Sequence, residues 1–245
     1  MVLIHGWSAA ASSWGDVGAG HLRTFAVDLR GHGDSDRPAT GYDSSETWAG
    51  DIAAVLDRVG RPAVLVGWSY GGLVIADYLR VFGTSRVAGI VLVGAITEIG
   101  RGHPGGRVGP AMRAALPAAL SEDADVAVPA LLELTRHMTA SPHTGAALQA
   151  GLAVPLSVPP FVRSALFQRD VSNADLLSSL DIPVLLVHGA DDAVVDPRAT
   201  EYAAALIPDS RTRIYPGVGH MPFAECAEEF RADLATFVAA TKAGS

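Results

Sequence analysis

Cysteine is nearly absent from the 245-residue chain: Cys226 stands alone. That excludes an intrachain disulfide and any metal site of the Cys-x-x-Cys kind. With no turn motif beside it, the thiol reads as structural rather than nucleophilic. Basic runs are missing as well. Lys and Arg number 18 against 26 Asp and Glu, a formal net charge of −8, and without clustered positive charge there is no footprint for nucleic acid. No apolar run approaches the roughly 18 residues that cross a membrane. The opening MVLIHGWSAAAS carries small residues like those of a cleavage site but no basic n-region, and His5-Gly6 cuts its apolar run short. A cytoplasmic location is therefore the expectation. Internal repeats and low-complexity segments are also lacking. Nothing in the sequence signals a metal, a cofactor or an oligomer.

Hydrophobic residues are plentiful, at 49%, enough for one large domain with a buried core. Short apolar runs at Val2-Leu3-Ile4, Thr24 to Val27, Ala63 to Val66, Val87 to Val93, Val184 to Val187 and Arg213-Ile214-Tyr215 read as strands. Near-continuous apolar character suits strands covered on both faces, as in a parallel sheet. Between them lie helix candidates at Ser45 to Val59, Gly71 to Val81, Pro197 to Leu206 and Pro222 to Ala239. The alternation predicts an α/β class, a doubly wound and mostly parallel sheet.

From about Glu98 to Ser179 the alternation stops. Helical patterns cover Pro110 to Leu120, Glu122 to Met138, Thr144 to Leu152 and Pro160 to Arg169, with Ser121 and Ser157 placed as N-caps. The expected organisation is a core domain in two parts, 1–97 and 181–245, with a helical cap inserted at 98–180. A separate helical domain fits less well, because the alternation resumes at Ile182.

One turn carries chemistry. Gly67-Trp68-Ser69-Tyr70-Gly71 matches G-x-S-x-G, after an apolar strand and before a helical pattern. A one-residue turn from strand to helix strains the serine backbone and lifts its hydroxyl above the strand end. Glycines on either side remove the side chains that would collide. The turn also puts the Tyr70 N–H at a helix N-terminus, where developing negative charge is favoured. A serine hydroxyl needs a base. Of eight histidines, His220 in YPGVGHMPFAE lies in the loop after a strand and before the last helix, at the sheet edge where Ser69 points. His188 and His5 end strands and read as packed, and His32 reads as a pocket-lining loop residue. His21, His103, His137 and His143 lie in peripheral segments. The base needs a carboxylate, and HGADDAVVDP offers Asp191, Asp192 and Asp196. Asp196 before Pro197 looks like a helix cap; Asp191 and Asp192 share one turn, where periodicity cannot separate them.

Taken together, His5-Gly6-Trp7, DLRGHGDSDRP, the Ser69 turn, HGADDAVVDP and GVGHMP make the chain resemble the α/β-hydrolase superfamily over nearly its whole length. The resemblance implies a Ser69–His220–Asp192 triad, since the acid of such enzymes stands three residues after the glycine, here Gly189. It also implies an oxyanion hole from the Trp7 and Tyr70 amides. Length, the His-Gly-Trp start and the four-helix cap are most similar to small carboxylesterases and cofactor-free haloperoxidases or perhydrolases. Dehalogenases and epoxide hydrolases place Asp at the turn, so Ser69 argues against both, while carbon–carbon bond hydrolases and enol-lactonases share the serine.

The expected function is hydrolysis of a small, largely apolar carboxylic ester, without cofactor, nucleic acid or membrane. Trp68, Met112, Leu131, Met138, Phe161 and Phe167 are the candidate pocket. A non-catalytic binding protein of the same fold is the rival, and Glu98, after the preceding strand, is the alternative acid. Such folds have eight strands and six are legible here. The two others would lie beside Thr24 to Val27, so a reading frame extending upstream of Met1 is a further expectation.

Overall fold

The computed structural model describes residues 1–18 and 22–243. Six strands form one sheet: β1 (Val2–Ile4), β2 (Phe25–Val27), β3 (Ala63–Trp68), β4 (Val87–Val93), β5 (Val184–Gly189) and β6 (Ser210–Tyr215). Their order is β2-β1-β3-β4-β5-β6, and all five pairings are parallel. Successive residues of a strand face opposite sides, and here both sides are buried. Val2, Ile4, Leu65, Ile90, Leu92, Val184 and Leu186 enter one core, while Leu3, Val64, Val66, Val91, Val93, Leu185 and Val187 enter the other. This is why the central strands read as unbroken apolar runs. Edge strand β6 has exposed Arg211 and Arg213 in its middle, charges that discourage pairing with another chain. β2, the other edge, is only half-buried.

Helix α1 (Ser45–Val59) is bounded as the sequence predicts. Ser44 Oγ accepts from the Thr47 N–H at 3.2 Å, and Gly60 ends the helix in the left-handed region. Its buried face, Trp48, Ala49, Ile52 and Leu56, packs on α2 (Tyr70–Phe82). Between β4 and β5 lie α3 (Pro110–Ala119), α4 (Ala124–Arg136), α5 (Gly145–Ser157), α6 (Pro160–Leu166) and the short α7 (Ala174–Ser178). Antiparallel bridges Ile99–Val171 and Val108–Val195 tie the base of this segment to itself and to the core. Then follow α8 (Arg198–Leu206), α9 (Pro222–Glu225) and α10 (Ala227–Ala243). Among the described residues no single helix is long and apolar enough to cross a membrane.

Several expected boundaries move; α5 runs on to Ser157 rather than Leu152, and α6 stops at Leu166 rather than Arg169. Asp123, not Ser121, caps α4, accepting from Asp125 N at 2.9 Å; Ser121 Oγ instead accepts from Asp123 N one step earlier. Ser157 is the last residue of α5, and its hydroxyl turns back to donate to Val154 O; α6 starts at Pro160, whose missing N–H suits a first turn. The final helix breaks at Cys226 into α9 and α10. Cys226 is half-buried and its thiol donates to Pro222 O at 3.3 Å. Burial, then the nearby Glu229 and Glu225, push it up to about 11, so it stays protonated and unreactive.

Candidate active site

Ser69 joins β3 to α2 with φ 55° and ψ −120°, and only Ser8 shares a positive φ among the described non-glycine residues. Such a conformation costs on the order of 1–3 kcal/mol and persists only where surroundings impose it. They do so here: Ser69 N donates to Val93 O at 3.0 Å, and Ser69 O accepts from Gly72 N and Ile96 N, both at 3.1 Å. The clearance expected of the glycines is present. A Cβ on Gly67 would meet Gly71 O at 2.7 Å, and one on Gly71 would meet Ile4 O of β1 at 2.2 Å. The turn can therefore be made only with bare backbone at both positions.

His220 follows β6 and is fixed from several sides. Its N–H donates to Met138 O at 3.0 Å, its carbonyl accepts from Trp68 Nε1 at 2.9 Å, and its ring lies 5.3 Å from that of Trp68. Nδ1 lies 2.7 Å from Asp192 Oδ2. Asp192 accepts, so Nδ1 carries the proton and Nε2 keeps its lone pair; buried, Nε2 has no hydrogen-bond partner among the described residues.

Burial separates the two acids that periodicity could not. Asp191 is exposed, whereas Asp192 is 5% exposed. Asp192 Oδ1 accepts from Val194 N and Val195 N at 2.8 and 3.0 Å, and Oδ2 faces His220 and also His188 Nε2, at 3.1 Å. Burial alone would raise its pKa. The His220 charge and the hydrogen bonds from His188 and His220 outweigh it and hold the carboxyl well below the usual range. Asp196 accepts from Arg198 N at 3.0 Å, but the residue that caps α8 is Pro197, one position later than expected, and its cap carries no side-chain hydrogen bond.

The alternative acid is occupied elsewhere. Buried Glu98 accepts from Ser172 Oγ, Asn173 N and Gly105 N at 2.9–3.0 Å and is hydrogen-bonded to no histidine among the described residues.

Ser69 and His220 open onto one cavity of about 390 Å³. Trp68, Met112, Leu131 and Met138 line it as expected, joined by Leu134, Val154 and Val194. Ser8, Ser12 and Ser13 add hydroxyls to its lining, and among the described residues no Asp, Glu, Lys or Arg lines it. Two candidate pocket residues lie elsewhere. Phe161 is 40% exposed and turns its edge to Tyr42, and Phe167 packs edge-on against the Trp7 ring at 5.5 Å. In a helix as short as α6, periodicity cannot tell the inward face from the outward one. Trp7 Nε1 donates to Arg163 O at 2.9 Å, tying the β1 loop to α6. The Tyr70 hydroxyl accepts from Arg169, itself paired with buried Asp77 at 2.6 Å, and burial pushes the phenol up to about 12.

The remaining histidines also have places. His32 is fully buried against His5 rather than lining the cavity, their ring centroids 5.1 Å apart. His143, expected to be peripheral, lines the cavity. His103 and His137 pair with Asp170 and Glu133, and His21 falls outside the described residues. Ser8 was missed by pattern reasoning. It has φ 53°, is 6% exposed and lines the cavity, and its hydroxyl has no partner among the described residues. A serine in a His-Gly-Trp-Ser stretch carries no pattern that announces a left-handed backbone.

A doubly wound parallel sheet carrying a strained serine between strand and helix, beside a buried His–Asp pair, defines an α/β-hydrolase fold. The chain belongs to the alpha/beta hydrolase family, whose model matches residues 1–233. A non-heme chloroperoxidase of Streptomyces lividans is 31% identical, over 97% of this chain and 91% of its own length. A pimeloyl-[acyl-carrier protein] methyl ester esterase of Neisseria meningitidis is also 31% identical, over 97% and 93%. Among solved structures, an esterase from Rhodococcus sp. ECU1013 superposes with a TM-score of 0.94 at 51% identity, covering 97% of this chain and 89% of that one.

Proposed function

We propose that the chain is a serine hydrolase that cleaves small, uncharged carboxylic esters through an acyl-enzyme. The observation that carries this is the strained Ser69 on the same cavity as His220, whose far ring nitrogen is held by Asp192. Ser69 Oγ attacks the ester carbonyl carbon while His220 Nε2 takes its proton. The Tyr70 amide, at the first turn of α2 where helical N–H groups lack partners, and the Trp7 amide receive the carbonyl oxygen as it gains charge. The carbon–oxygen bond to the alcohol then breaks, and His220 returns the proton to the leaving oxygen. Water attacks the acyl-enzyme by the same route in reverse, releasing the acid and Ser69.

The substrate class follows from the cavity wall. With no charged side chain on it, a charged substrate would lose hydration without a counter-charge; neutral acyl or aryl esters lose little. Helices α3, α4 and α5 act as a cap over the sheet edge, supplying Met112, Leu131 and Val154, with Met138 from the loop after α4. The esterases among its relatives support the reading.

A panel of p-nitrophenyl esters of graded acyl length tests it, with a lactone and a peracid-forming reaction run alongside. Turnover of short and medium esters that Ser69→Ala abolishes is the expected result. Turnover of the lactone or peracid formation without ester cleavage would reassign the chemistry, and no turnover by folded protein would favour a binding role.

A further inference from the structure

We propose that His188 is a positioning residue, whose Nε2–H holds the Asp192 carboxylate against His220. The inference rests on the serine-hydrolase reading for its consequence and on geometry alone for its cause. His188 is fully buried at the end of β5. Its Nε2 lies 3.0 Å from Val195 O and 3.1 Å from Asp192 Oδ2. Both atoms can only accept, so Nε2 must carry hydrogen. Its Nδ1 lies 2.7 Å from the hydroxyl of Thr200 in α8, itself 2% exposed. A neutral ring then accepts there from the Thr200 O–H. One tautomer satisfies every contact: Thr200 O–H to Nδ1, and Nε2–H to Asp192 Oδ2 and Val195 O.

The arrangement has a mechanical consequence. Asp192 Oδ1 is pinned by two backbone amides of its own loop. Among the described residues Oδ2, the oxygen that His220 uses, has no backbone donor, and besides His220 its one polar partner is His188. Without that N–H, Oδ2 would be held by His220 alone, the group it is meant to orient. His188 is neither aimed into the cavity nor among its lining residues; it acts through Asp192. A chain of four buried side chains, Thr200–His188–Asp192–His220, thus runs from α8 to the cavity.

Two measurements test this together. Nitrogen-15 spectra of the imidazole side chains should show His188 as the Nε2–H tautomer in the intact protein. The His220 Nδ1 proton resonance should shift in His188→Leu and stay near its wild-type position in His188→Gln, whose amide restores a donor toward Asp192. Neither reading requires turnover. In ester hydrolysis, with active sites counted by phosphonate titration, His188→Leu should lower kcat by about 10–100-fold, the worth of one hydrogen bond to a charged group, at unchanged KM. His188→Gln should recover most of that loss, and Thr200→Val should show a smaller loss in the same direction. An Nδ1–H tautomer, an unmoved His220 proton, wild-type kcat in folded His188→Leu, or a Gln variant as poor as Leu would each overturn the proposal. If His188→Leu does not fold, the tautomer and the Thr200→Val result decide it. Absence of ester turnover by wild type would instead count against the serine-hydrolase reading.

Discussion

Trp68 Nε1 donates to the carbonyl of His220 at 2.9 Å across 152 residues of sequence. The residue just before the serine thus holds the loop that carries the histidine, and the indole packs in turn on Trp14 and Phe223. Sheet and loop are coupled through one buried side chain. Trp68→Phe keeps an aromatic ring but removes the donor together with part of the buried indole; the unpaired buried carbonyl alone costs about 1–3 kcal/mol. We expect lower stability by at least that amount in urea unfolding, with kcat reduced more than KM is raised. Wild-type kcat in the variant would show that the loop is held without this bond.

Asp192 and Asp191 are adjacent in sequence but differ in burial and in partners. Asp192→Asn leaves the shape unchanged yet takes away the charge that fixes the His220 tautomer, and such a change lowers kcat by about 10⁴ in related chemistry. Asp191→Asn, at an exposed position, should stay within about twofold of wild type. Steady-state kinetics on a single p-nitrophenyl ester distinguishes the two.

Those aspartates also mark where sequence reading stopped. The sheet was legible because period-2 burial on two faces leaves an unmistakable apolar run, and Ser69 because strand, glycines and helix coincide. His220 was legible from its loop after the last strand. Inside a turn no periodicity operates, so Asp192 was set apart from Asp191 only by the family resemblance, and burial and hydrogen bonding supply the physical distinction. Phe161 and Phe167 failed for a related reason, since a helix of seven residues is too short to declare a face. His188 was read as packed, and it is; sequence gave no sign that its ring touches the acid.

Ser8 pays for a left-handed backbone with a β-carbon. That conformation costs about 1–2 kcal/mol for a residue other than glycine, against roughly 0.5–1 kcal/mol of extra chain entropy lost by glycine. Ser8→Gly also removes a buried hydroxyl without a described partner. Its midpoint should rise, by about 2–4 °C per kcal/mol gained at this chain length. A lower midpoint in calorimetry would show that the Ser8 side chain contributes packing that outweighs the strain.

His5 and His32 predict how stability follows pH. Burial, with the neighbouring His32 adding to it, pushes His5 down from 6.5 to about 3, and burial pushes His32 from 6.5 to about 4. Between those values and 6.5 the unfolded chain binds more protons than the folded one. Stability is therefore fully present above about pH 6.5 and is lost as pH falls through the window, by about 1.4 kcal/mol per pH unit for each histidine near its middle. Urea unfolding at pH 7.5, 6.0 and 5.0 should show this slope, and His32→Asn should reduce it by about half. A flat profile between pH 7.5 and 5.0 would contradict neutral burial of the pair.

The central claim is that the strained serine is the nucleophile. Intact-mass and peptide spectrometry after treatment with a fluorophosphonate tests it most directly. The account predicts one adduct per chain, on the peptide containing Ser69, lost in Ser69→Ala and strongly slowed in Asp192→Asn. An unlabelled but folded wild-type protein, or an adduct on any other residue that persists in Ser69→Ala, would contradict it.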